Sequence, residues 1–429
     1  MKLKLSNFLE NTLLIKAIIL IIVTFSISSI IYHNDNIYEL YEDRIDWIEK
    51  KYIKLNMFNK VNNIAHFLDL KGKIKQLSNP LINSDFIDIN INTESATKLK
   101  IYLTKTPPKK KWVNVGISML NNSYNAKLKF HGTSSVHYMD DKYSYTVKVD
   151  KDSSFINNFR RFKLIKGEEF DPPVIAVNKI ANSLGLISSY GKMKVLRING
   201  EEQGHYYFNE TIKKEFLERE FGITNYSIIT NITDWTRKEN LKGNAHISDQ
   251  DLYHGHIEKT KDVLFPKALN RYKELTNYIK TENISAIKQM LDLDYMAKYL
   301  AMLTLFNEVH FITGDNLKLI YDFNRGKFYP IWRIESGGIP LSREYLNNFG
   351  FLNKAPFNSR SAHLGYNKAI NLNLFKLLIS DFETRNLRDQ FLNMLIEEKT
   401  TIINSINKTH NDNERIMLHS VNSRRNYNL

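Results

Sequence analysis

Asp315, Asn316, Arg333 and Glu335 share one stretch, GDNLKLIYDFNRGKFYPIWRIESGG, from Gly314 to Gly338. Carboxylate and amide oxygens are the ligands that hold Mg²⁺ against phosphates. Arg333 carries the opposite charge and clamps phosphate or carboxylate through two N–H groups. The stretch is either the metal end of a phosphotransferase site or a site that has lost its metal. A second polar group lies in KLKFHGTSSVHYMDDKYSYTVKVD, Lys127–Asp150, where Gly132 leads to Ser134 and Ser135 and then to Lys142. Small hydroxyls and backbone N–H groups in such a turn cradle phosphate oxygens, and a lysine at a strand start adds a point charge. The same pattern also describes an ordinary hairpin with a surface lysine. A third group is Glu210, at the end of RINGEEQGHYYFNETI. It caps the N–H groups of the next helix or reaches across to orient Lys142.

The elements around these residues follow from periodicity. From about Asp85 the pattern has period two. Strands are predicted at FIDINI, KLKIYLTK, VNVGISML, AKLKFHG, YSYTVKVD and RFKLIKG, then at KMKVLRING and GHYYFNE around an Asn199-Gly200 turn. Helices are predicted at VIAVNKIANSLGL, ended by Gly185, and at TIKKEFLEREFG. Residues 220–265 read as polar and irregular. Beyond them, helices are expected over roughly Pro266–Ile279, Ala286–Phe306 and Leu372–Ile406, interrupted by the 314–338 hairpin, with a frayed basic tail from about Lys408. A sheet-rich first half and a helix-rich second half imply an α+β body of two lobes.

In order and spacing these segments resemble the spore-coat protein H (CotH) kinase-like family. The residues carrying the resemblance are His131-Gly132-Thr133-Ser134-Ser135, Lys142-Tyr143-Ser144-Tyr145, Asn199-Gly200, Gly204, Tyr206 and Glu210. Asn316, Tyr321, Gly326-Lys327 and Trp332-Arg333-Ile334-Glu335 complete the set. Together they span roughly residues 124–340. The resemblance implies an atypical protein-kinase-like fold that uses ATP and Mg or Mn. It implies that Lys142, with Ser134 and Ser135, contacts nucleotide phosphates and that Glu210 holds Lys142. It makes Asn316 and Glu335 the metal ligands; where the chain departs from the pattern, Arg333 is read as a phosphate contact in place of the metal and His310 or Asp315 as the catalytic group. The acceptor it implies is a surface protein or a glycan.

This chain departs from the family pattern. Arg333 stands where the first acid of a W-D-x-D end is expected, and the upstream acid falls near His310 or Phe311. Replacing a carboxylate by a guanidinium changes the local charge by two units. Like charges about 4 Å apart repel by roughly 4 kcal/mol at an effective dielectric of 20. Two functions therefore stay open. One is an ATP-dependent phosphotransferase. The other is a catalytically inactive pseudokinase or anion-binding module of the cell envelope.

Composition bounds the rest. The chain has 429 residues, 42% hydrophobic, with a net charge of +14 and no cysteine. Disulfides, thiol catalysis and cysteine zinc sites are excluded. The charge favours anionic partners, densest at Lys109-Lys110-Lys111. Nucleic acid is disfavoured, since no aromatic-rich signature accompanies the lysines. His246, Asp249, His254, His256 and Glu258 read as exposed loop residues rather than a zinc site. Thr12–Tyr32 is a nearly continuous apolar run of bilayer length behind Lys2 and Lys4. It predicts a single-pass anchor with the bulk of the chain extracytoplasmic; a cleaved signal peptide is the competing assignment. The expected organisation is a cytoplasmic tail (1–11), an anchor (12–32), a helical juxtamembrane segment (33–80) and a CotH-kinase-like domain (81–429).

Overall fold

The computed structural model describes residues 80–104, 108–120, 122–132, 137–138, 142–150, 159–166, 172–230, 264–306, 317–333 and 370–423. The architecture is mixed α+β, β-rich in its central region and helical towards the C-terminus. In chain order the first elements are β1 (Phe86–Asn90), α1 (Thr93–Leu103), β2 (Val113–Met119), β3 (Asn122–Phe130), β4 (Tyr145–Val149) and β5 (Arg161–Lys166). There follow α2 (Pro172–Ser183), β6 (Lys192–Ile198), β7 (Glu201–Glu210), α3 (Lys214–Phe221) and β8 (Tyr226–Thr230). The rest comprises α4 (Phe265–Lys280), α5 (Ile284–Met290), α6 (Leu293–Phe306), β9 (Lys318–Asp322), β10 (Lys327–Pro330), α7 (Ile370–Ser380), α8 (Phe382–Glu397) and α9 (Lys399–Ser423).

Seven strands close a barrel in the order β1-β2-β3-β4-β5-β7-β6, sealed by a parallel β1–β6 pair. Closure leaves no unpaired strand edge in this sheet. Alternation fills the inside: Ile87, Ile89, Leu128, Val147, Phe162, Leu164, Tyr206 and Phe208 form one buried cluster. The outer side chains of β5, β6 and β7, including Ile165, Met193, Val195 and Tyr207, join a second cluster with the helices. The Asn199-Gly200 link between β6 and β7 is a tight hairpin with both residues at positive φ, 52° and 87°, the geometry that favours Asn-Gly there. The hairpin β9–β10 pairs with β8 in a separate three-stranded sheet.

Several expected elements change. KLKIYLTK is the C-terminal part of a helix, not a strand. A strand would set Leu99 and Ile101 on one face, yet Leu99 is buried and Ile101 is 60% exposed. The Asn92 side chain caps this helix by accepting from the Ser95 N–H at 2.8 Å. The segment expected as one helix over Ala286–Phe306 is α5 and α6, broken where the Asp292 carboxylate accepts from the Tyr295 N–H at 3.0 Å. The Leu372–Ile406 segment is likewise broken where Asp381 caps α8. β8 lies inside the stretch read as irregular, and α9 continues to Ser423, within the tail expected to fray.

The single-pass membrane placement is corrected. Among the described residues no helix is long and apolar enough to cross a membrane. The longest, α9 at 25 residues, carries Asn, Thr, His and charged residues throughout. The expected anchor at 12–32 lies outside the described residues, as do its tail, residues 33–79 of the juxtamembrane segment and the histidine cluster between 246 and 258.

Candidate functional site

The segment between α2 and β6 is pinned at a seam between barrel and helical body. Tyr295 of α6 does much of this. Its hydroxyl donates to the Pro330 carbonyl at 2.6 Å and accepts from the Ile187 N–H at 2.9 Å. The Trp332 N–H donates to the Ile187 carbonyl at 2.9 Å, and Ser188 pairs with Trp332 in a parallel bridge. Trp332 is fully buried, its ring edge-on to Tyr299. Arg333 therefore leaves the β10 end directly beside the Ser188–Ser189 segment.

The same segment grips the end of β7. Ser189 Oγ lies 2.6 Å from the Glu210 carbonyl oxygen and also meets Asn209 Oδ1. One hydroxyl proton serves only one acceptor, so it goes to the Glu210 carbonyl, and the Asn209 amide is best turned to donate its NH₂ to Ser189. Gly191 allows the approach: a Cβ there would fall 1.7 Å from the Phe208 carbonyl oxygen. Two hydroxyls at the seam, Ser188 Oγ and Thr211 Oγ1, are buried without a hydrogen-bond partner.

Glu210 is the buried carboxylate of this seam, 4% exposed. Arg219, in the last turn of α3, holds it. Nη2 lies 2.5 Å from Oε2 and Nη1 lies 3.3 Å from Oε1. Arg219 also bonds Glu220 at 2.8 Å and lies over the Phe159 ring. Burial pushes the Glu210 carboxyl up to about 7, outweighing the downward pull of Arg219. Arg160 bonds Glu215 at 2.9 Å on the same side.

The residues expected to form one nucleotide site divide into groups. Glu210 and Arg333 approach the Ser188–Ser189 segment through the backbone: Ser189 bonds the Glu210 carbonyl, and Ser188 pairs with Trp332, next to Arg333. Lys142 is elsewhere. Its ammonium donates to the His205 carbonyl at 3.2 Å and lies 4.9 Å from the centre of the Tyr206 ring. Tyr206 is four residues before Glu210 on β7, which is about 13 Å at ~3.3 Å per residue. Lys166 and Lys194, both buried, flank Tyr206 as cross-strand partners. So the cation on Glu210 is Arg219, and Lys142 joins a lysine neighbourhood further along the strand. Ser134, Ser135, His310, Asp315, Asn316 and Glu335 lie outside the described residues. Their flanks are described: His131 Nδ1 is 3.0 Å from Thr146 Oγ1, and its ring is edge-on to His137.

Arg219, Ser188, Ser189 and Thr211 were missed from sequence. Arg219 had one signal, a cation nine positions past Glu210 on the next helix. The serines had none, because the segment that carries them gains meaning only when Trp332 docks on it.

Among the described residues the seam does not fit a divalent cation. Arg219 covers both oxygens of Glu210, and a second guanidinium, Arg333, starts from the abutting segment. Guanidinium groups donate and never accept, and a hydroxyl is able to donate, a set that suits an anion.

Barrel and helical body define a mixed α+β protein. Residues 128–332 match the family model described as CotH kinase protein, and over that segment the chain is similar to that family. No curated protein matches the chain.

Proposed function

We propose that the chain is a CotH-like pseudokinase, in which the barrel and helical body are the two lobes of a kinase-like fold and the seam grips a phosphate-bearing ligand, nucleotide by family likeness. The observation that carries this is Arg219 on Glu210, with Arg333 on the neighbouring segment. By family likeness Arg333 stands where a metal-dependent kinase has a carboxylate, which supports binding of an anion without metal. Lys142 adds a point charge further along β7 rather than completing a Lys–Glu pair. Under this proposal phosphate oxygens are bound by guanidinium and hydroxyl groups, and metal contributes little to affinity.

An active ATP-dependent phosphotransferase acting on a protein or glycan is the second reading. The family match favours it, together with Asn316 and Glu335 as ligands for Mg or Mn. Thermal melting of the full chain separates the two. ATP and inorganic pyrophosphate are each added with Mg²⁺, with Mn²⁺ and with EDTA. The pseudokinase reading expects the same upward shift of Tm in all three, abolished in Arg333→Ala, and a metal-dependent shift restored by Arg333→Asp. Stabilisation seen only with metal, accompanied by transfer of labelled phosphate to an acceptor, would overturn it in favour of the enzyme.

A further inference from the structure

The outer wall of the barrel on β3, β4 and β5 carries cations in register. Ala126, Leu128, Val147, Val149, Phe162 and Leu164 point into the barrel core, so the residues between them point out. Lys127 is the cross-strand partner of Lys148, and Lys148 is the partner of Arg161. In the next row Lys129 faces Thr146, and Thr146 faces Lys163. Lys127 is exposed and the other four cations are partly exposed. Like charges placed directly opposite repel across a sheet, so this register concentrates positive charge on one wall. The acids bordering it among the described residues are Asp150, at the end of β4, and Glu215, which Arg160 binds and which also attracts Arg161 of the wall.

From this we infer that the β3–β4–β5 wall is a docking surface for an extended acidic polypeptide. Charge complementarity selects an anion, and spacing selects the kind. Lys127 and Lys129 stand two residues apart on one strand, as do Arg161 and Lys163 on another, so cations recur at about 6.7 Å along the strands. An extended polypeptide presents same-face side chains at that same two-residue repeat. Acidic residues at alternate positions therefore meet one cation each. Single-stranded nucleic acid needs open aromatic faces for base stacking. The aromatic group beside this wall is Trp112, and Lys129 already lies over its ring at 4.8 Å. The wall also leads to the seam, because Lys163 pairs with Asn209, whose side chain meets Ser189. Docking here is separate from phosphate transfer and holds for a pseudokinase and for an enzyme.

The test is fluorescence anisotropy of the full chain with a labelled repeating Glu-Ser peptide, at about 0.15 M salt, where charges are screened beyond ~8 Å. Lys127→Glu/Lys148→Glu reverses two cations of the wall. Lys100→Glu/Lys267→Glu changes net charge equally at two exposed positions off it. The expected result is binding by the wild type and by the off-wall variant, weakened roughly tenfold or more in the wall variant. Equal weakening in both variants, or no binding by the wild type, overturns the surface. Tighter binding of an oligothymidine that the wall variant loses overturns the polypeptide assignment. Circular dichroism melts of both variants confirm that each is folded.

Discussion

The barrel has two outer walls made by the same alternation, and they meet different things. On β7 and β6, and at the Ile165 end of β5, the outward residues are Ile165, Tyr207, Met193 and Val195, and helices cover them. On β3 and β4 they are Lys127, Lys129, Thr146 and Lys148, and water reaches them. One wall is fixed by burial of apolar area, whereas the other keeps its charges where water reaches them. The Glu210 seam lies at the join, where β7 passes out from under the helices. The contrast teaches that stability and recognition are divided round one sheet, which makes the two separable by mutation.

The largest effect is expected on the covered wall. Tyr207→Ala removes a fully buried ring whose hydroxyl accepts from the Gly191 N–H at 3.2 Å. It should cost about 3–5 kcal/mol, the range for large aromatic deletions, read from urea unfolding. An effect no larger than that of an exposed lysine would erase the distinction between the walls.

At the join the effect is smaller and depends on pH. Arg219→Ala leaves the buried Glu210 carboxylate without its cation, a loss of roughly 1–3 kcal/mol at pH 8. Protonation of Glu210 should relieve much of that loss at pH 6. In the wild type, Glu210 holds its proton to about pH 7 when folded, against an ordinary value of 4.5. The folded state binds the extra proton between those values, so this group's contribution makes stability fall as pH rises from 4.5 to about 7. Glu210→Gln should flatten that part of the profile. A Tm–pH curve unchanged by the substitution would show that burial does not control this carboxyl.

The smallest effect is expected on the cationic wall, and with the opposite sign. Lys148→Glu sets an acid between Lys127 and Arg161. Opposite-charge cross-strand pairs contribute roughly 0.2–1 kcal/mol, so Tm should rise slightly while acidic-peptide binding falls. A fall in Tm would mean that the lysine holds a structural contact.

Much of the barrel was legible in sequence because each strand has one face in the same core. Tyr145, Val147 and Val149 announce β4 by alternation alone, and all three are buried. Alternation misled at Leu99, Ile101 and Leu103, since period two imitates itself briefly within a helix; the Asn92 cap was the better signal. The site was less legible for a different reason. Motif order places Lys142, Glu210 and Arg333 along the chain but says nothing of height along β7. Register does: Phe162 pairs with Glu210 and Lys166 with Tyr206, so a lysine lodged at Tyr206 stands several residues from the carboxylate. Arg219 reaches Glu210 because α3 folds back over the strand end, a geometry no local pattern encodes.

The Asn413 side chain on α9 accepts from the Met193 N–H of β6 at 2.7 Å, across 220 positions. A ribosome still holding residue 413 therefore exposes a barrel whose β6 amide lacks its acceptor. Final annealing of that strand waits until synthesis has passed α9, so a chain stalled before residue 413 should be more open to proteases than one that extends past it.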